Sequence, residues 1–215
     1  MYKKKPLFVT FEGIEGSGKS YQSKKLYKSI KKRKIPVILT REPGGTRGAE
    51  KIRKIILEDY FYLHTKIRFN KYTDTLLYLA ARSEHIENKI KPAISKKKII
   101  ICDRFIDSTL AYQVYGKGES KALVDSVHKY ILGSIKPDLT FILKVNISKA
   151  LERLKKRKKK NRYDKFSKYF YIKAQKAFIK IAKKNKTRYF VLDNSNDSEE
   201  TEKIILNKFI QVLSK

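Results

Sequence analysis

The stretch Gly13-Ile14-Glu15-Gly16-Ser17-Gly18-Lys19-Ser20 decides the fold of this chain. It matches the pattern G-x-x-x-x-G-K-[ST], a glycine-rich loop that binds phosphates. The apolar run 7–11 before it predicts a short buried strand, and residues 21–34 after it predict a helix. A strand that passes through such a loop into a helix turns several backbone N–H groups toward one point, at the positive end of the helix dipole. With strand, loop and helix in register, the sequence predicts a nucleoside triphosphate site rather than a chance glycine turn.

Each residue type in this loop has a chemical reason to be there. Glycines allow the backbone to approach a phosphate and to adopt positive φ. Lys19 is predicted to reach the β- and γ-phosphates of the nucleoside triphosphate, and the Ser20 hydroxyl to bind Mg²⁺. We therefore expect the whole loop to contact the nucleotide: Gly13, Ile14, Glu15, Gly16, Ser17, Gly18, Lys19 and Ser20.

Length and composition indicate one globular domain spanning residues 1–215, of which 41% are hydrophobic. No apolar run approaches the roughly 20 residues of a membrane span. Residues 1–5 lead directly into the first strand without a signal-peptide pattern, so we expect a cytoplasmic protein. The single cysteine, Cys102, lies in an apolar run and is expected to be a core thiol.

The charge balance is strongly basic, with 52 Lys+Arg against 21 Asp+Glu and a formal net charge of +31. Such a balance suggests nucleic-acid binding. The lysines, however, are spread along the whole chain, and abundant Ile, Asn, Tyr and Phe suggest an A/T-rich coding bias. A nucleic-acid partner is therefore not expected.

Strand-like and helix-like segments alternate, which predicts a parallel sheet covered by helices on both faces. The candidate strands are 7–12, 36–40, 98–103, 138–145 and 188–193. The candidate helices are 19–34, 46–58, 74–94, part of 108–115, 120–132, 148–159, 166–185 and 198–213. In such sheets ligands bind at the carboxyl ends of the strands, and the remaining motifs fall there or at the start of the next helix.

Two of these motifs follow the second and third strands. The turn Arg41-Glu42-Pro43-Gly44-Gly45 holds its arginine and glutamate rigidly at a strand end. The apolar strand that ends in Asp103 is typical of the carboxylate that binds Mg²⁺ directly or through water, and Arg104 follows it into the same cleft.

Other candidates lie on helices. Tyr78 and Arg82 are four residues apart and share a helix face, although spacing alone favours a core tyrosine beside a surface arginine. The segment from Ser108 to Gln113 offers hydroxyls and an amide that are suited to hydrogen bonding with a sugar or the edge of a base. The basic run 153–162 has three interpretations: a solvated helix end, a nucleic-acid patch, or a mobile LID, about 150–164, that closes on the triphosphate. His64, His85 and His128 form no recognisable catalytic or metal-binding pattern and are assigned no chemistry.

A GTP-binding protein is a poor interpretation of the loop. Such a protein needs an N-K-x-D motif for guanine, and the nearest candidate, Asn70-Lys71-Tyr72-Thr73-Asp74, has one residue too many.

The ordered motifs resemble the thymidylate kinase (dTMP kinase) family over essentially the whole chain. They are 11–20, the Arg41-Glu42-Pro43-Gly44-Gly45 turn, Ala80-Ala81-Arg82, Asp103-Arg104-Phe105 with 108–113, and Pro137-Asp138-Leu139-Thr140. The resemblance implies a three-layer α/β P-loop fold with a five-stranded parallel sheet. It also implies phosphoryl transfer from ATP to dTMP with Mg²⁺, a homodimer, and a cis peptide before Pro43.

The resemblance further implies roles for individual residues. Glu15 approaches the 3′-hydroxyl of dTMP. Arg41 and Arg104, with help from Arg53, hold the phosphate of dTMP. Tyr78 stacks on thymine, Arg82 donates to its O4, and Tyr112 lies against the sugar. Ser108, Thr109 and Gln113 complete the substrate site, and 194–197 covers adenine. The catalytic set it implies is Glu15, Lys19, Asp103, Arg104 and Arg153, with Arg157 on the ATP side.

The family has two arrangements of its transition-state arginine. In one, the P-loop carries a basic residue beside its carboxylate; in the bacterial type, the P-loop has Gly there and the LID supplies the arginines. Because Gly16 follows Glu15, this chain resembles the bacterial type. Its LID arginines would be Arg153, Arg157 and Arg162. The stretch 158–161 departs from the family, which usually has an acidic residue before the last arginine, and Phe105 replaces a more common tyrosine. Two alternatives stay open: a kinase for another monophosphate such as UMP, AMP or GMP, and a nucleic-acid-stimulated ATPase.

Overall fold

The computed structural model describes residues 6–58, 69–158, 161–196 and 199–214. His64, Lys159, Lys160 and Asp197, which the sequence analysis discussed, lie outside these ranges. The described chain contains a sheet of five parallel strands in the order β2-β3-β1-β4-β5, which confirms the predicted sheet. The strands are β1 Phe8–Glu12, β2 Val37–Arg41, β3 Ile99–Asp103, β4 Leu139–Lys144 and β5 Tyr189–Asp193.

The three central strands are buried on both faces, as continuous apolar runs predict. All of β1 is buried, as is β4 except Lys144 and β3 except Asp103 at its end. The outer strands differ, because each lacks a neighbour on one side: β2 is mostly half-buried and Val191 of β5 is 42% exposed.

Helices alternate with the strands as expected. They are α1 Lys19–Lys32, α2 Arg47–Leu57, α3 Lys71–His85, α4 Lys91–Ser95, α5 Ile106–Thr109, α6 Lys121–Leu132, α7 Ile147–Lys155, α8 Lys168–Ala182 and α9 Glu199–Leu213. A π-helical segment, Ile86–Ile90, joins α3 to α4, another, Leu110–Gly116, continues α5, and Arg162–Lys165 forms a 3₁₀ turn.

Most helix boundaries fall within three residues of the prediction, and two of the differences have a visible cause. Helix α3 begins at Lys71, three residues early, because the Asn70 side chain caps it by accepting from Thr73 N at 2.9 Å. The segment examined for a guanine motif is thus a helix N-terminus. Helix α7 ends at Lys155 and not at Lys159, where consecutive like charges oppose further helix.

Apolar clusters on the two faces of the sheet establish the three layers. Alternating side chains of β1 point to opposite faces. Val9 and Phe11 pack with residues of α1 and α9, including Leu26 and Phe209, whereas Phe8 packs with Ile86 and Phe105. A further cluster joins Ile142 of β4 to α8.

The strand register brings three functional segments to one edge. Asp103 at the end of β3 is level with Phe11 of β1 on one side and Arg41 of β2 on the other. The glycine loop, the turn after β2 and the residues after β3 therefore meet above the sheet. None of the helices within the described ranges is both long and apolar enough to cross a membrane.

Candidate active site

The glycine loop has the conformation that phosphate binding requires. Gly16 and Gly18 have φ of 74° and 89°, and a Cβ on Gly16 would lie 2.5 Å from Ala150 O. Gly18 precedes α1, and neither a capping side chain nor an acidic residue occupies the first turn of that helix. The amino end of α1 therefore keeps its positive partial charge for an anion.

Lys19 lies across this loop and is almost fully buried. Its Nζ donates to Ile14 O at 2.6 Å and contacts Ser17 Oγ at 3.4 Å. Burial, together with the nearby charge of Arg104, lowers the pKa of Lys19 to about 7. A phosphate beside it would favour the charged form and so raise this pKa again.

Ser20 and Asp103 are brought together from the loop and from β3. Ser20 Oγ donates to Asp103 Oδ2. The other oxygen, Asp103 Oδ1, is buried and has no hydrogen-bond partner among the described residues. A hydroxyl oxygen beside an unsatisfied carboxylate oxygen fits Mg²⁺, which prefers oxygen ligands.

Arg104 is fixed in a strained turn directly above the loop. Its φ is +73°, an uncommon value for a residue with a side chain. Nη2 pairs with Glu15 Oε1 at 2.8 Å, and Nη1 donates to Gly13 O at 2.9 Å and Ser108 Oγ at 3.0 Å. Tyr112 OH donates to the other oxygen of Glu15. These contacts place Glu15, Arg104 and Tyr112 within one cluster.

Sequence analysis missed Glu12, which supports the turn that carries Arg104. This buried carboxyl at the end of β1 accepts from Phe105 N at 2.7 Å and from Ser108 Oγ at 2.6 Å. Burial, followed by repulsion from Asp107, raises the pKa of Glu12 to about 8. An acidic residue that ends an apolar strand was the available signal.

Arg41 and Arg53 converge on the turn after β2. Arg41 is about half exposed, with Nη2 3.0 Å from both oxygens of Glu50, and Arg53 Nη1 donates to Pro43 O at 2.7 Å. The predicted cis peptide between Glu42 and Pro43 is confirmed.

Arg82 is buried, so the interpretation as a surface arginine was wrong. Nε pairs with Glu42 Oε2 at 2.7 Å, and Nη2 donates to Phe105 O at 2.9 Å. Nη1 lies 2.8 Å from Thr109 Oγ1 and 2.6 Å from His128 Nε2. This arginine is held from several elements at once.

His85 and His128, which were assigned no chemistry, both belong to the hydrogen-bond network around Arg82. His85 Nδ1 lies 2.9 Å from Glu42 Oε1, and its Nε2 lies 2.7 Å from Thr40 Oγ1. His85 shares a face with Arg82, three residues earlier, which was a usable signal. Nothing in the sequence marked His128, on α6.

Aromatic rings form the far wall of the site. Tyr163, which sequence analysis did not single out, packs edge-on against Tyr78 and Tyr112 at centroid distances of 6.2 and 5.6 Å. Gln113 Nε2 donates to Tyr163 OH at 3.2 Å. Tyr163 lies in the 3₁₀ turn of the predicted LID, so this segment contributes to the pocket.

One cavity of about 180 Å³ unites these groups. Its lining residues include Glu15, Lys19, Ser20, Arg41, Glu42, Pro43, Arg53, Tyr78, Arg82, Asp103, Arg104, Phe105, Ser108, Thr109, Tyr112, Gln113, Arg157, Asn161 and Tyr163.

The three predicted LID arginines have different surroundings. Arg153 lies against the back of the loop, with Nη1 2.9 Å from Gly16 O and Nη2 3.0 Å from Ser195 O. Arg157 lines the cavity and pairs with Asp164 at 2.9 Å. Arg162 pairs with Asp74 of α3. Asp164 and Asp74 thus supply acidic partners, although 158–161 lacks the usual acidic residue.

The family model described as thymidylate kinase matches residues 11–205. The chain belongs to the thymidylate kinase family. The chain is 39% identical over 205 residues to the thymidylate kinase of Halothermothrix orenii, covering 94% of this chain and 95% of that protein. It is 42% identical to the thymidylate kinase of Wolbachia pipientis wMel, with coverage of 93% and 98%.

A solved structure agrees. The crystal structure of thymidylate kinase from Ehrlichia chaffeensis superposes with a TM-score of 0.72 at 33% identity, covering 99% of this chain and 100% of that one. The thymidylate kinase fold is therefore shown. All ten residues predicted to bind dTMP line this cavity, whereas Arg153 does not.

Proposed function

We propose that the protein transfers the γ-phosphoryl group of ATP to dTMP, giving ADP and dTDP. The observation that carries this proposal is one cavity that joins the phosphate loop, the Glu15–Arg104 pair and the wall formed by Tyr78 and Arg82. Family membership supports the same reaction.

The donor side is the glycine loop. Its N–H groups and Lys19 are suited to the phosphates of ATP. Ser20 and Asp103 would hold Mg²⁺, which would offset the negative charge of the phosphate oxygens. Arg153, which contacts Gly16 O and Ser195 O, would keep the loop and the segment after β5 in register.

The acceptor side is the remainder of the cavity. Arg104 and Arg41 would bind the dTMP phosphate with Arg53 nearby, and Glu15 would accept from the 3′-hydroxyl. Tyr78 would stack on the base, and Arg82 would donate to its O4. Tyr112, already bonded to Glu15, would lie against the sugar, with Ser108, Thr109 and Gln113 at the edge of the base.

The chemistry needs alignment and charge neutralisation more than a base. A phosphate monoester has its second pKa at about 6, so dTMP is already mostly dianionic near neutral pH. Lys19 and the LID arginines would stabilise charge on the transferred group, where such arginines contribute about 10³–10⁵ in kcat. Among the three LID arginines we assign this task to Arg157, because it lines the cavity.

A coupled assay of ADP formation from ATP tests the proposal. The acceptors are dTMP, dUMP, dCMP, UMP, AMP and GMP, and one arm contains DNA without a monophosphate. We expect dTMP to give the highest kcat/KM and Lys19→Ala to abolish turnover, while Lys28→Ala, on an exposed face of α1, does not. Preference for another monophosphate, or DNA-stimulated ATP turnover that ignores dTMP, would refute the proposal.

We also propose a homodimer, as the family resemblance implies, in the cytoplasm. Exposed apolar side chains on α2 and α3 support a helical interface: Ile55, Tyr72 and Leu76 are 45%, 54% and 50% exposed. Sedimentation of Leu76→Asp tests this, with Tyr130→Asp on α6, at a residue that is 91% exposed, as the control. We expect Leu76→Asp to sediment as a monomer and Tyr130→Asp to remain a dimer. If the wild-type protein itself sediments as a monomer, the dimer proposal is refuted.

A further inference from the structure

His128 is a buried histidine that contacts Arg82, one of the residues that line the cavity. It lies on α6, is 6% exposed, and is not among the residues that line the cavity. Its Nε2 is 2.6 Å from Arg82 Nη1. A guanidinium can only donate hydrogen bonds, so Nε2 of His128 is the acceptor and carries no proton.

The hydrogen bonds of Arg82 can be counted. A guanidinium has five N–H groups: one on Nε and two on each terminal nitrogen. Nε donates to Glu42, both hydrogens of Nη1 are taken by Thr109 and His128, and one hydrogen of Nη2 is taken by Phe105 O. Within the described residues, one N–H on Nη2 is left for a ligand.

The environment keeps His128 in the accepting state. Burial and the adjacent charge of Arg82 lower the pKa of His128 to about 3. The imidazole is therefore neutral at physiological pH, with its proton on Nδ1. A side chain that could not accept at this position would leave a buried N–H of Arg82 unpaired, which is costly.

We propose that His128 is a positioning residue for base selection. By accepting from Arg82 Nη1, it fixes the guanidinium so that the single remaining Nη2 N–H meets a carbonyl oxygen of the acceptor base. A base that presents an amino group at that position would place a donor against a donor. The inference rests on the proposed function, because it assumes that Arg82 faces the base of dTMP.

The first test compares two substitutions at this position. His128→Gln can keep an acceptor near the position of Nε2, whereas His128→Leu cannot. The measurement is kcat/KM for dTMP divided by kcat/KM for dCMP, with KM for ATP recorded alongside. We expect His128→Leu to lower this ratio by about tenfold, the size of one buried hydrogen bond, and His128→Gln to stay within about twofold. Lys129→Leu, at an exposed position of the same helix, should leave the ratio unchanged.

The second test needs no variant and no activity. The nitrogen spectrum of the protein containing isotope-labelled histidine should show Nε2 of His128 unprotonated between about pH 6 and pH 8. A protonated Nε2 would overturn the proposal even if dTMP is the substrate. The proposal would also be overturned if His128→Leu and His128→Gln both kept the wild-type ratio of dTMP to dCMP kcat/KM, or if both lowered that ratio equally. Failure to phosphorylate dTMP would instead refute the proposed function and with it the role in base selection.

Discussion

Glu12 and Glu15, three residues apart at the site, have pKa values shifted in opposite directions. Burial raises the pKa of Glu12 to about 8, since no cation forms an ion pair with it among the described residues. Burial also acts on Glu15, but Arg104 and Lys19 outweigh it and lower the pKa of Glu15. The difference arises from the direct ion pair between Glu15 and Arg104 at 2.8 Å. Glu12 is thus suited to support the backbone, and Glu15 to remain ionised in the cavity.

Glu12→Gln should change how stability depends on pH. Because the folded pKa of about 8 exceeds the ordinary value of 4.5, the folded protein holds a proton that the unfolded chain releases. The stability due to this proton is complete below pH 4.5 and is lost as pH rises toward 8, by at most about 1.4 kcal/mol per pH unit. Urea unfolding between these limits should show this slope removed in Glu12→Gln. The exposed Glu152→Gln should retain it, and parallel curves for wild type and Glu12→Gln would contradict the assignment.

Arg104→Ala should impair use of dTMP more than use of ATP. The substitution removes the guanidinium predicted to hold the acceptor phosphate and leaves the Glu15 carboxylate without its ion pair. We expect kcat/KM for dTMP to fall on the order of a hundredfold, through both kcat and KM. Steady-state kinetics measure this, with the exposed Arg33→Ala as a control of equal charge. Unchanged kinetics in Arg104→Ala would contradict the site map.

At the scale of elements, the site is held by contacts between segments that are remote in sequence. Arg153 of α7 joins Gly16 of the loop to the segment after β5, and Asn194 Nδ2 donates to Ser17 O at 2.8 Å. The π-helical segment Leu110–Gly116 carries Tyr112 and Gln113 into the cavity. Such segments often mark functional sites.

The ion pair between Asp74 and Arg162 should couple α3 to the 3₁₀ turn of the predicted LID. Asp74 is nearly fully buried and also accepts from Lys117 Nζ at 2.6 Å, so its charge is shared by two cations. A double-mutant cycle of Asp74→Asn and Arg162→Gln should give a coupling of about 1–3 kcal/mol in the free energy of unfolding. The exposed pair Lys121–Asp125 on α6 should give less than about 0.5 kcal/mol. If the coupling between Asp74 and Arg162 is no larger than that of the exposed pair, the ion pair does not couple α3 to the turn.

At the scale of the whole molecule, the net charge of +31 is a property of the surface more than of the site. The cations of the site are mostly paired with carboxylates, as in Arg104–Glu15, Arg82–Glu42 and Arg162–Asp74. Most other lysines add a diffuse positive field that attracts anionic nucleotides from a distance.

Ionic strength should therefore act on substrate capture and not on the chemical step. Raising NaCl from about 0.05 M to about 0.5 M shortens the screening length severalfold. We expect KM for ATP and dTMP to rise severalfold while kcat changes by less than about twofold. Initial rates over both substrate concentrations check this, with a neutral osmolyte as control. A salt-dependent kcat with constant KM would contradict the expected separation.

The sequence alone determined the nucleotide loop, the order of strands and helices along the chain, and the motifs that meet at one edge of the sheet. These features are local: apolar periodicity, glycine spacing and an acidic residue at a strand end are readable without knowing which segments touch. Arg41, Asp103 and Arg104 could therefore be predicted to lie at the sheet edge that carries the loop, and the strand register places Arg41 and Asp103 level there.

Only the tertiary structure decided which polar groups are buried together. Spacing on α3 favoured a surface position for Arg82, yet the turn after β2, α5 and α6 pack around it and supply Glu42, Thr109 and His128. The same holds for Glu12, which accepts from Phe105 in the turn after β3, and for Tyr163, whose 3₁₀ turn packs on Tyr78. A buried hydrogen bond needs both partners in position, and partners 27 to 93 residues apart leave no pattern in the sequence of either one.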